Sequence, residues 1–125
     1  MRLLIDTQIF IWAVTESEHL SDQARQIMLN AEKVYVSAAS IWEIAIKARL
    51  GRLDGDPKEF VFAIEQSGFV ELAISARHAV QVHELPLHHR DPFDRLLIAQ
   101  AISEPLRLLT VDKMLYKYSE LVMTV

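Results

Sequence analysis

Four acidic side chains carry the chemistry this sequence has on offer: Asp6, Glu43, Asp94 and Asp112. The clearest is in the stretch at residues 90–101, RDPFDRLLIAQA. Asp91 is a good helix N-cap and Pro92 suits the first helical position, so a helix should begin there. Asp94 then falls in the first turn, on the same face as Leu97, Ile98 and Ala101, which points into the protein. A carboxylate aimed at the core side needs a partner, because an unpaired buried charge is very costly. It either caps its helix or binds a metal ion. Asp6 and Asp112 have the same two readings, each following an apolar run and preceding a short helix. Glu43 has Lys47 four residues on as an ordinary helical ion-pair partner.

The elements that must position these acids can be read from the pattern. Residues 3–5, 33–37, 69–73, 107–111 and 121–125 are apolar or β-branched runs, which predicts five strands. Helices are predicted over 7–13, over 22–31 after the cap Ser21, and from Ser37 or Ser40 to Leu50 with Gly51 as its stop. Further helices should open at Asp56-Pro57, at Ser75 and at Asp91-Pro92, with a short one after Asp112. Strands alternating with helices imply a mostly parallel sheet covered on both faces. The crevice of such a sheet lies at the carboxyl ends of its strands. Asp6 and Asp112 follow strands directly, Glu43 lies about a turn and a half into the helix after the second strand, and Asp94 opens a helix running back to the fourth. Four isolated caps have no reason to gather at one pole, and four unpaired carboxylates would repel there. A divalent cation removes that objection. Oxygen ligands without cysteine suit Mg²⁺, or Mn²⁺, rather than structural zinc.

The chain has 125 residues, enough for one domain with a real core, and its 51% hydrophobic content excludes a disordered chain. The absence of cysteine excludes a disulfide framework and fits a reducing cytoplasm. Its longest apolar run, residues 9–14, is far short of a membrane span, and Asp6 splits the N-terminal segment, which argues against a signal peptide. The net charge of −4 speaks against nucleic acid until the four acids are set aside; the remainder is 13 acidic residues facing 13 basic ones.

Four strings in order, LLIDT at residues 3–7, SIWE at 40–43, DRLLIAQA at 94–101 and TVD at 110–112, resemble the PIN-domain nucleases, and in particular the VapC-type toxins of bacterial toxin–antitoxin pairs. The resemblance spans essentially the whole chain. It implies a single domain over residues 1–125, a three-layer α/β/α sandwich around a five-stranded parallel sheet. It also implies a Mg²⁺-dependent endoribonuclease that forms a homodimer and is blocked by an antitoxin protein. The family's four acids fall on Asp6, Glu43, Asp94 and Asp112, and its hydroxyl residue on Thr110. Asp6 and Asp94 are then the first choices as metal ligands; Asp112 would complete the site, and Glu43 would orient water or hold a second ion. Such hydrolysis leaves a 5′-phosphate and has no need of the ribose 2′-OH.

A signalling receiver module is disfavoured, since it would need a second acid where Thr7 stands. A non-catalytic RNA- or partner-binding protein on the same fold is the competing reading. His83, His88, His89 and Asp91 could suggest a histidine metal site, but the pair at 88–89 lacks the i,i+4 spacing of a helical zinc motif and reads as solvated loop histidines. Trp12, Trp42 and Phe93 read as core or interface residues rather than base-stacking platforms. Lys47, Arg49, Arg52, Arg90, Arg95, Lys113 and Lys117 lie beside the acids in sequence, where phosphate steering would want them, although each alone reads as surface charge.

Overall fold

The computed structural model describes residues 1–125. In chain order the elements are β1 (Arg2–Ile5), α1 (Thr7–Val14), α2 (Asp22–Asn30), β2 (Lys33–Ser37), α3 (Ala38–Arg49), α4 (Pro57–Gln66), β3 (Val70–Leu72), α5 (Ala76–His83), α6 (Pro92–Ser103), β4 (Arg107–Thr110), a 3-10 helix (Lys113–Tyr118) and β5 (Val122–Thr124). The helix starts are where the capping residues put them. Ser21, Ser37, Asp56, Ser75 and Asp91 each accept a backbone N–H of the first turn, and proline follows at the start of α4 and α6. Ser37, not Ser40, opens α3. Gly51, at φ 73°, follows its end in a conformation that favours glycine.

The strands form one sheet in the order β3-β2-β1-β4-β5, and all four pairings are parallel. Alternation along β1 distributes the core. Leu3 and Ile5 face a cluster with Ile9, Phe10, Ile44, Phe60 and Ile64, while Leu4 faces a second cluster with Leu97, Ile98, Ala101 and Leu115. Helices therefore cover both faces, giving the three-layer α/β/α sandwich. Strands 3, 4 and 5 are shorter than their apolar runs: Phe69, Val111 and Val125 pack against the core outside the ladder.

The strand order fixes where a site belongs. From β1 the chain moves outward to β2 and β3, then returns across the sheet to β4 on the other side of β1. The crevice of such a reversal opens at the carboxyl ends of β1 and β4. Asp6 leaves the first of these strands, and Thr110 ends the second.

Candidate active site

Asp6 is buried and does two jobs at once. Its Oδ1 accepts the Ile9 N–H at 2.8 Å, capping α1, and its Oδ2 accepts the Thr110 hydroxyl at 2.6 Å and the Val111 N–H at 3.3 Å. Three bonds leave the carboxylate one unused lone-pair direction, on Oδ1. Burial pushes its carboxyl above the ordinary value of 3.8, against those three hydrogen bonds, and the charge of Glu43 adds to the rise. The fully buried Thr110 has its own second partner: its oxygen accepts the Asp112 N–H at 3.0 Å.

Asp91 caps α6, its Oδ1 receiving the N–H groups of Phe93 and Asp94 at 2.8 and 3.3 Å. Asp94 is thereby relieved of that duty. Its side chain is 22% exposed and has no hydrogen-bond donor; the nearest cationic atom, His89 Nε2, is 3.7 Å from Oδ2. Burial first, then the charges of Asp91, Asp6 and Glu43, push the Asp94 carboxyl up to about 7, although His89 pulls the other way. Glu43 reaches the same neighbourhood from α3, with one oxygen paired to Lys47 Nζ at 2.8 Å. The ordinary helical ion pair is thus formed, on a side chain only 12% exposed. Asp112 caps the 3-10 helix through Met114 N–H at 2.9 Å, and its Oδ2 lies 3.0 Å from His89 Nε2.

The four acids therefore converge unequally. Asp6, Glu43 and Asp94 feel one another's charge, and Asp112 is tied to Asp6 through Thr110. The tightest group is His89 with Asp94 and Asp112, whose ligand atoms all lie within 4.8 Å of one another. The donor set fits a hard divalent cation. Asp94 in particular presents two oxygens with every lone pair free, in a place that penalises its charge and offers no lysine or arginine to neutralise it.

This sequence matches the PIN domain family over residues 3–121, nearly the whole chain. The chain belongs to the PIN-domain family. No curated protein matches the sequence. The PIN fold is shared with solved structures of low identity. A VapBC2 structure from Rickettsia felis, bound to a DNA fragment from its promoter, is similar at a TM-score of 0.71 and 15% identity, covering 100% of this chain and 98% of that one. A DNA-bound VapBC from Salmonella typhimurium gives 0.70 and 16%, covering 100% and 97%. A toxin–antitoxin complex from Klebsiella pneumoniae gives 0.68 and 19%, covering 98% and 96%.

Two residues of this PIN domain stand differently from the sequence reading. His89 was expected to be a solvated loop histidine and instead sits between two of the acids; spacing along one helix is the wrong signal for a contact made across three elements. Arg95 was a candidate for phosphate steering and is turned inward. Its guanidinium donates to the Pro86 and Val82 carbonyls at 2.8 and 3.2 Å and to Tyr118 Oη at 3.1 Å, fastening the loop before α6. Trp42 and Phe93 pack edge to face at 5.1 Å, with Trp42 still 57% exposed.

Proposed function

We propose that this PIN domain is a Mg²⁺- or Mn²⁺-dependent endoribonuclease, the toxin of a toxin–antitoxin pair, which cuts RNA phosphodiesters with a metal-activated water. The observation that carries this reading is Asp94, an acid held against its own ionisation with both oxygens unspent. A bound divalent cation supplies a polarised phosphodiester and a water of lowered pKa. Asp94 and Asp6 would hold the ion, Asp6 through its one remaining lone-pair direction. Thr110 keeps Asp6 oriented by donating to Oδ2, and Asp112 lies within reach to complete the set. Glu43, its charge partly balanced by Lys47, would orient the attacking water or hold a second ion. A groove of about 390 Å³ leads away from Glu43 past Lys47, Arg52, Arg90 and Phe93. Its basic side chains suit the phosphates of an RNA strand.

Homodimerisation and antitoxin binding belong to the same reading. Exposed apolar side chains on α3 and α4, among them Trp42, Ile46 and Phe62, offer an interface larger than scattered surface residues explain. No helix is long and apolar enough to cross a membrane, and a cytoplasmic location is part of the proposal. The test is RNA cleavage by purified protein with Mg²⁺, with Mn²⁺ and with EDTA, alongside Asp94→Asn. Cleavage that needs the metal and fails in the variant is expected. Cleavage persisting in chelator, with metal-free protein verified by elemental analysis, would sink the reading, as would folded protein that binds RNA but never cuts it.

A further inference from the structure

Three ligand atoms within 4.8 Å make His89, Asp94 and Asp112 look like a ready metal site with one nitrogen donor. The hydrogen bonds of the imidazole argue otherwise. His89 Nδ1 accepts the Asp91 N–H at 3.0 Å. A ring nitrogen that accepts carries no proton, so the proton of the neutral ring is on Nε2. That nitrogen faces Asp112 Oδ2 at 3.0 Å, a hydrogen bond, and Asp94 Oδ2 at 3.7 Å, beyond one. To bind a metal through Nε2, the ring would have to move its proton to Nδ1, head to head with the Asp91 N–H.

The surrounding loop holds the ring in this setting. The His89 N–H donates to Tyr118 Oη at 2.6 Å, and Arg95 anchors the same hydroxyl. A continuous path follows. Asp91 N–H donates to His89, His89 to Asp112, the Asp112 N–H to Thr110, and Thr110 to Asp6. The start of α6 is thereby joined to the ends of β4 and β1, through the acids themselves.

We propose that His89 is a positioning residue and not a metal ligand: as the Nε2–H tautomer it orients Asp112 at the mouth of the site. This rests on the metal-dependent reading above. Positioning by a donor behind a ligand is commonly worth 10- to 100-fold in metal affinity.

The experiment has two arms on the full chain. In the first, ¹⁵N-histidine NMR of metal-free protein and of the same sample with saturating Mg²⁺ reports which ring nitrogen carries the proton. The expected result is Nε2–H in both; a proton transferred to Nδ1 when Mg²⁺ is added would overturn the proposal in favour of ligation. In the second, two isosteres part the ring's functions. His89→Gln places an amide N–H where Nε2 was, and His89→Asn places its amide where Nδ1 was. Mg²⁺ affinity by calorimetry and kcat and KM on RNA are then measured, with melting temperature as the folding control. Asn should weaken Mg²⁺ binding roughly tenfold or more and lower kcat with KM held, and Gln should restore both to within a few-fold of wild type. Asn and Gln equally impaired, or Asn indistinguishable from wild type, would overturn it. Wild-type protein that neither binds Mg²⁺ nor cleaves RNA would instead overturn the functional reading itself.

Discussion

Asp94→Asn should make the metal-free protein more stable, and by an amount that depends on pH in a way no cap or packing effect reproduces. The Asp94 carboxyl is raised from 3.8 to about 7. Between those values the folded state keeps a proton that the unfolded chain has lost, so stability falls as pH rises through the window, and the full penalty stands above pH 7. At about 1.4 kcal/mol per unit the ceiling is about 4 kcal/mol, and solvent relief at a partly exposed side chain brings the expectation to about 2–4 kcal/mol. Asparagine keeps the shape and loses the charge, and no hydrogen bond to the carboxylate is broken. In EDTA, variant and wild type should melt together near pH 4 and diverge above it. They should differ by roughly 8–16 °C at pH 8, taking roughly 4 °C per kcal/mol for a chain of this size. Added Mg²⁺ should then stabilise wild type and leave the variant nearly unmoved, since only a state that binds gains from the ligand. Thermal melts in chelator from pH 4 to 8 decide the matter. A difference that is constant with pH, or a variant less stable than wild type at pH 8, would refute the argument that Asp94 is held against its own charge.

Thr110→Val should cost about 1–3 kcal/mol, because it removes the hydroxyl bonded to Asp6 and strands the Asp112 N–H; Thr110→Ser should recover most of both stability and cleavage, read by urea unfolding and RNA assay. Asp91→Asn should keep stability and most cleavage, since asparagine caps as well as aspartate, whereas Asp91→Ala should lose about 1 kcal/mol; an Asp91→Asn protein that cannot bind Mg²⁺ would make Asp91 a ligand. Glu104→Ala should loosen the junction of α5 and α6 by about 1–3 kcal/mol. It leaves buried His78, whose Nε2 lies 2.5 Å from Glu104, without its acceptor, and an unchanged urea midpoint would contradict this.

The architecture was legible because it is local. Caps at Ser21, Asp56, Ser75 and Asp91 mark four helix starts and the apolar runs mark the strands, while the alternation of strands and helices implies a mostly parallel sheet without fixing the order of its strands. Asp6 and Asp112 were legible because they follow strands, where connectivity assigns a pole; Asp94 joins them only if its helix starts at that pole, and Glu43 lies inside α3. What sequence could not resolve is how one residue serves two readings. Asp6 is both cap and site acid, and Glu43 is both ion-paired and turned toward Asp6 and Asp94. Helical spacing puts Ala39, Glu43, Ile46 and Leu50 on one stripe, and that stripe is a further ambiguity. Ala39 is buried while Ile46 and Leu50 lie open, because periodicity defines a face but not where along the helix the protein ends. Thr110 came from family likeness rather than from any physical signal in the sequence, and its buried bonds to Asp6 and Asp112 now supply one. His89 and Arg95 were out of reach altogether, since their partners come from segments remote in the chain.

The double duty of Asp6 has a genetic consequence. On the proposed activity, an inactivating change that removes both side-chain oxygens, such as Asp6→Ala, should also unfasten α1 from the sheet crevice, so cells selected for loss of the activity should hold little of that mutant polypeptide, cleared as poorly folded chain. A change at Asp94 that keeps its shape, such as Asp94→Asn, should instead leave an inactive protein that is folded and abundant. Escape mutants should therefore fall into two phenotypes, absence and persistence. Only the persistent kind would still occupy whatever partner the wild-type surface binds, and so interfere with an intact copy of the same gene.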